Sequence, residues 1–480
     1  MDFRKLLSNK LYIGLGVLFL AIILLIVVFV AVGGKTNPHA GDTQSKDIQT
    51  ENGSQLNDTQ KLGTETQNPD KETQETESVT EDMQEQDTQI KDTQTKDTQT
   101  EDSQTKDSEM KDSESQSSQA PEDSGETETP KPETLEQQIE RILAGMTLEE
   151  KIGQMFIVWP ETLSGPGAVT SVDGTFKSKL EQYPVGGIIY MASNLIDKEQ
   201  TKTLLATTQN YATEISGLPL FQCIDEEGGR VARIANNTAF GVNNVGPMAD
   251  IKSAKEAYQA GVYISGYLSE LGFNFDFAPD ADVITNSLNQ VIGDRSFGTD
   301  AELVTAYAVA FSEGLHKNGI LSTFKHFPGH GATEGDTHEG YAYTSKTYEE
   351  LLEAELKPFI AAKEHGVDAV MVAHISVPNV VGDNTPCTLS SKMITDILRT
   401  KIGYEGLVVT DALAMGAISN QYTSAEAAVL SVQAGCDILL MPKDFYEAFA
   451  GVKEAVANGS ITEERINESV RRIIRVKLDL

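Results

Sequence analysis

Two segments of the chain concentrate side chains suited to chemistry. The first reads KHFPGHGATEGDTHEG, from Lys325 to Gly340. It breaks at Pro328-Gly329 and holds four glycines between positions 329 and 340, so it reads as a loop able to cover a site and move. Asp336 and His338 stand two apart within it. A carboxylate so placed can orient an imidazole that gives and takes a proton near neutral pH. The competing reading is a solvated loop histidine. His326 and His330, with Asp336 and His338, also raise a metal site. Pro328-Gly329 keeps the first two off one helix face, so neither metal nor cofactor is expected.

The second segment, LVVTDALAM, spans 407–415. Its apolar start is a buried strand, and Asp411 stands where that strand ends. The carboxylate can be a covalent nucleophile or the cap of the helical turn that follows. CIDEEGGRVARI, at 223–234, offers Asp225, which suits bidentate binding of two neighbouring hydroxyls. Its Gly228-Gly229 pair belongs to no phosphate-loop pattern. IGDRSFGTD, at 292–300, offers Arg295.

These side chains need a frame that gathers them. Eight short apolar runs read as strands: 154–159, 186–191, 219–225, 273–279, 322–326, 369–375, 406–411 and 436–442. Helical periodicity lies between them, at 198–216, 254–271, 301–316, 348–365, 391–400 and 423–434. Such alternation predicts parallel strands covered by helices, and eight units predict a single (β/α)8 TIM-type barrel. A doubly wound open sheet is the alternative. Asp225, Asp280 and Asp282, Lys325 and His326, His374 and Asp411 all fall at or near strand ends, which in a parallel barrel converge on one mouth.

The first third of the chain is different. Residues 11–32 are apolar without a charge, long enough to cross a bilayer as one helix. Arg4, Lys5 and Lys10 before it predict a cytoplasmic N-terminus, residues 1–10, with the rest outside the cell membrane. Cleavage of this segment near Ala31 is the alternative. Residues 33–134 contain pentapeptides such as KDTQT and EDSQT, six in a row from Gln86 to Ser115. From Lys35 to Thr134 there is no Phe, Tyr or Trp, and 26 acidic residues against 9 lysines supply half of the chain's formal charge of −34. Such a stretch cannot bury enough apolar surface to fold, so a disordered linker is expected. It should span roughly 50–60 Å or more. The acidity therefore belongs to the tether, and a nucleic-acid partner is not expected. Cys223, Cys387 and Cys436 are too few and too scattered for a disulfide framework and read as buried small residues.

From Met146 to Leu480 the chain resembles glycoside hydrolase family 3. IDEEGGRV, DRSFG, KHFPGHG, the D-T-H triplet at 336–338, MVAHI and TDALAM occur in the family's order. The resemblance is to its single-domain β-N-acetylglucosaminidases (β-hexosaminidases) of bacterial cell-wall turnover. It implies a retaining glycosidase with Asp411 as nucleophile, His338 as acid/base and Asp336 as its partner. Asp225, Arg295, Lys325, His326 and His374 would then bind the sugar. The implied substrate is a β-linked N-acetylglucosaminide, such as a peptidoglycan fragment, taken by a monomeric catalytic domain over 135–480. Glu226 departs from the family, where glutamine is common. Many members carry a second domain that supplies a glutamate acid; here RRIIRVKLDL is expected to be the barrel's last helix, leaving the acid role to His338. A phosphorylase, a β-glucosidase and a catalytically dead tethered carbohydrate-binding barrel are the alternatives. Stiffening Gly329, Gly331 or Gly335 is expected to slow turnover more than binding.

Overall fold

Each of the eight apolar runs coincides with a strand, seven of them shorter than the run and the fifth displaced by one residue. In a computed structural model, which describes residues 133–337, 340 and 342–480, the strands are β1 (Phe156–Val158), β2 (Gly187–Ile189), β3 (Phe221–Ile224), β6 (Phe275–Asp276), β7 (Thr323–Phe327), β8 (Ala369–Val372), β9 (Leu407–Thr410) and β10 (Leu439–Leu440). The apolar run at 11–32, the pentapeptides and His338 lie outside the described residues. Among the described residues no helix is long and apolar enough to cross a membrane.

Among these eight strands the pairing is parallel. One sheet runs β10-β1-β2-β3-β6 and another β7-β8-β9. Parallel bridges join them at both seams, Phe275 to Leu321 and Asp280 to Lys325 at one and Val409 to Ile438 at the other. Every strand thus has a neighbour on both sides, and the fold is barrel-like α/β rather than an open doubly wound sheet. Side chains such as Phe156, Ile188, Phe221, Phe275, Phe324 and Val408 are fully buried because helices cover one strand face and the barrel interior takes the other.

Local chemistry sets where the covering helices start and stop. Asp197 caps Lys198–Ser216 and Gly217 ends it with φ +71°. Ser253 caps Ala254–Leu271 and Asp300 caps Ala301–His316. The helix expected at 348–365 is two, Tyr348–Glu353 and Lys357–Glu364. Pro358 cannot donate a backbone hydrogen bond across the junction, and Glu355 between them turns inward to Lys346 and Thr285. The segment expected as an α-helix at 391–400 is wound as a π-helix, Lys392–Ile402. A short antiparallel hairpin, β4 (Glu226–Gly228) with β5 (Val231–Ala232), stands on the end of β3. Its turn needs Gly228 and Gly229, at φ +100° and +55°, because a Cβ at the first would lie 2.6 Å from Val245 and at the second 2.8 Å from Pro247.

The C-terminal helix Glu463–Lys477 closes the amino end of the barrel. Lys477 is buried, donates to Gly186 O and Gln154 Oε1 at 2.8 Å each, and lies 4.8 Å from the Phe221 ring centroid. Burial depresses its pKa to about 7. Asp437, two residues before β10, accepts from Ser469 (2.7 Å), Arg472 (3.0 Å), Val408 N (3.0 Å) and Arg399. Burial works against its charge, but the surrounding guanidiniums prevail and hold it below the usual carboxylate range. All three cysteines are free and buried.

Candidate active site

At the carboxyl ends of the strands the polar residues meet. Asp225 follows β3, Lys325 and His326 belong to β7, Asp411 follows β9, and Arg295 ends a 3-10 turn, Gly293–Arg295, after β6. All five line one cavity of about 430 Å³, with Glu227 beside them and Met191, Met415 and Met441 as apolar wall.

Glu227 organises the cations. Arg295 donates to it twice, at 2.8 and 2.7 Å, and Lys325 Nζ lies 2.6 Å from Oε1. Burial opposes its charge, but Arg295 and Lys325 outweigh that and hold its pKa far below normal. Lys325 also donates to Asp225 Oδ1 at 3.1 Å, and Arg233 to Asp225 Oδ2 at 3.2 Å. Glu227 was not singled out in the sequence, although alternation along β4 must send Glu226 and Glu227 to opposite faces. Glu226 faces away from the cavity and ties its own hairpin together. It accepts from the backbone N–H groups of Arg233, Ile234 and Ala235 at 2.5–2.9 Å and from the Tyr267 hydroxyl at 2.8 Å. Burial raises its pKa.

His326 is held as one tautomer. Its Nε2 is 3.3 Å from Arg295, a donor only, so Nε2 accepts and Nδ1 carries the proton. Nδ1 donates to Asp282 Oδ2 at 2.7 Å. Burial, then the Arg295 charge, push its pKa down to about 4, so the ring is neutral at physiological pH. Asp282 also accepts from His330 N at 2.6 Å. Asp280 accepts from Asp282 N at 3.0 Å, but its Oδ2 is buried without a hydrogen bond, 3.5 Å from Arg295 Nε. Burial first, and then the two carboxylates' closeness, push the pKa of Asp280 up, and burial does the same to Asp282.

Asp280, Asp282 and His326 are the one cluster among the described residues with metal-ligand spacing, their atoms within 4.8 Å of one another. They do not suit a cation: the Arg295 guanidinium already faces Asp280, and the His326 proton is committed to Asp282. His330 is buried, with Thr333 2.9 Å from Nδ1 and Thr337 3.2 Å from Nε2. Its pKa falls to about 4, mainly through burial.

Asp411 accepts from Ala412 N at 2.7 Å. Burial opposes its charge, yet His374, His326, the Ala412 N–H and Lys325 together bring its pKa below the usual range. With His326 neutral, the Ala412 N–H and Lys325 are lasting contributors, and Asp411 is a carboxylate at neutral pH. His374 sits behind it, buried, with Nε2 2.9 Å from Ala412 O and Nδ1 2.8 Å from Thr388. That bond fixes the segment bearing Asp411.

The segment from β7 toward position 338 is anchored. Gly329 (φ +129°) leaves no room for a Cβ, which would lie 2.5 Å from that of Glu355. At Gly331 a Cβ would fall 2.2 Å from Val283 O. These two glycines are demanded by close packing, so neither can test loop mobility; Gly335 (φ +89°) can. Glu334 and Tyr343 pair antiparallel, and Asp336, two residues past Glu334, accepts from Gly340 N at 3.0 Å through its backbone carbonyl. Thr337 O accepts from Ala417 N at 3.1 Å, so Thr337 is tied to the segment that follows β9.

Residues 147–476 match the model of the glycosyl hydrolase family 3 N-terminal domain. The chain is 34% identical over 339 residues to beta-hexosaminidase A of Pseudoalteromonas piscicida, covering 65% of this chain and 56% of that protein. It is 32% identical over 349 residues to beta-hexosaminidase LpqI of Mycobacterium tuberculosis, covering 70% and 84%. The solved family 3 β-N-acetylglucosaminidase of Paenibacillus sp. str. FPU-7 is 38% identical with a TM-score of 0.66, over 70% of this chain and 63% of that one. The chain thus spans little more than half of the first relative. Its own barrel, charged mouth and matched length make it a member of glycosyl hydrolase family 3.

Proposed function

We propose that this chain is a retaining β-N-acetylhexosaminidase, built on a (β/α)8 barrel, that releases terminal β-linked N-acetylglucosamine. The observation that carries the reading is Asp411: a carboxylate kept charged beside Lys325 and opening on the cavity that Asp225, Arg295 and His326 line. The names of its relatives support the same activity. Asp411 Oδ attacks the anomeric carbon, the glycosidic C–O bond breaks, and a proton from His338 goes to the leaving oxygen. Water then attacks the same carbon, gives its proton to His338 and frees Asp411. Asp225, Lys325, His326 and Arg295 hold the sugar hydroxyls. Asp336 orients His338, whose proton must reach the leaving oxygen on the face of the sugar opposite Asp411; the Thr337–Ala417 bond supports a loop held at the mouth for that task.

A 5-fluoro N-acetylglucosaminyl fluoride should trap a covalent adduct, and peptide mass mapping should find it on Asp411; an adduct elsewhere, or none with turnover intact, overturns the assignment. His338→Ala should slow substrates with poor leaving groups far more than activated aryl glycosides. Equal loss on both would remove His338 from the acid role. The apolar run at 11–32 supports a single-pass anchor that holds the enzyme outside the cell membrane, near glycans such as peptidoglycan fragments. Protease added to intact cells should then release the catalytic domain.

A further inference from the structure

Trp159, the only tryptophan of the chain, lies on the far side of the catalytic wall. β1 stands between β10 and β2 in the ring. Met441 and Met191, just past those neighbours, line the catalytic cavity. Trp159 leaves β1 between them but lines a second cavity, of about 450 Å³. Pro442 and Lys443 line that cavity directly after Met441, so the two cavities lie on either side of one turn of chain.

The second cavity offers aromatic faces and ammonium donors. Trp159 is half-buried and packs on the core. Tyr446 is held by its hydroxyl, which donates to Thr162 O at 2.8 Å, and by Tyr183, ring to ring at 5.1 Å. Lys179 Nζ lies 5.6 Å from the Tyr446 ring, and Lys443 is exposed at the rim. The acids there have local work. Glu161 accepts from Asn194 at 2.6 Å and from Val169 N at 3.1 Å, and Asp444 caps the helix Phe445–Ala457. A pyranose matches what remains: its C–H face packs on aromatic rings, and its hydroxyl and N-acetyl oxygens accept from lysines.

We infer that this cavity is a subsite for a sugar ring of the leaving group, beyond the bond cut at Asp411; the inference rests on the glycosidase reading above. It makes the enzyme one that engages an oligosaccharide rather than only its terminal residue. Because Trp159 is the sole tryptophan, its fluorescence reports on the cavity without any change there. In the full chain carrying Asp411→Asn, chitotetraose should shift Trp159 emission saturably, and free N-acetylglucosamine should not. In the active chain, Trp159→Ala should lower kcat/KM for chitotetraose about tenfold more than for an aryl N-acetylglucosaminide. A silent Trp159, an equal response to the monosaccharide, or equal kinetic losses overturn the subsite while aryl-glycoside turnover by the parent chain stands. Absence of that turnover overturns the glycosidase reading and the subsite with it.

Discussion

Asp437 and Asp411 lie at opposite ends of one barrel, each within a buried network of charges. At the amino end both Asp437 oxygens accept hydrogen bonds, and Arg399, Arg465 and Arg472 surround it. At the mouth, Asp225, Glu227, Asp280, Asp282 and Asp411 crowd around Arg295, Lys325 and Arg233, and Asp280 keeps one buried oxygen unbonded. The first network saturates its acceptors and serves to join helices to strand. The second keeps bonding capacity and like-charge repulsion in place, as a site must if a ligand is to complete it.

The difference can be broken from either end. The largest effect is expected at Asp411: replacing it by Asn should cut turnover by on the order of 10⁴-fold or more while the melting temperature holds. Asp437→Ala should do the reverse. It strands three guanidiniums around an empty centre, and denaturant unfolding should show a loss of about 3–5 kcal/mol with little change in KM.

Lys477 tests the amino end more gently. Its folded pKa is about 7, against an ordinary value near 10.5. The folded state therefore holds fewer protons between those values, and stability is lost as pH falls from about 10.5 toward 7. The parent chain should gain up to about 1 kcal/mol per pH unit over that window, and Lys477→Met should have a flatter profile.

Asp280 should give the smallest effect and the opposite sign. Its raised pKa favours the protonated form on folding, so its cost is absent below about pH 4 and grows as pH rises. Asp280→Asn should therefore stabilise the chain by about 1 kcal/mol at pH 8 and not at all at pH 3.5, read from melting curves. A destabilised variant would show that the Arg295 contact outweighs the repulsion.

Much of this frame was legible because a strand buried on both faces reads as an apolar run wherever it pairs. Asp225, Lys325 and Asp411 stood out because each ends such a run. The partners of Asp437 did not: Arg399, Arg465 and Arg472 sit on two helices 28 or more positions away in sequence, and no local pattern joins them. Glu227 was hidden by its neighbour, since two adjacent acids differ only in the face each strand position presents. The glycines at 329 and 331 read as signs of movement, although the reason for them is a Glu355 side chain and a Val283 carbonyl brought close by the fold.

That carbonyl has a consequence for how this protein can vary. With Val283 O where a methyl at 331 would lie, and Glu355 filling the same space at 329, both positions are closed to every other residue unless the barrel itself shifts. Mutational drift in the loop is thereby channelled beyond Ala332, into the stretch that carries Asp336 and His338. A saturation library should return glycine alone at 329 and 331 among folded clones, and a broad alphabet at Glu334, so specificity can diverge at the tip while the attachment to the barrel stays constant.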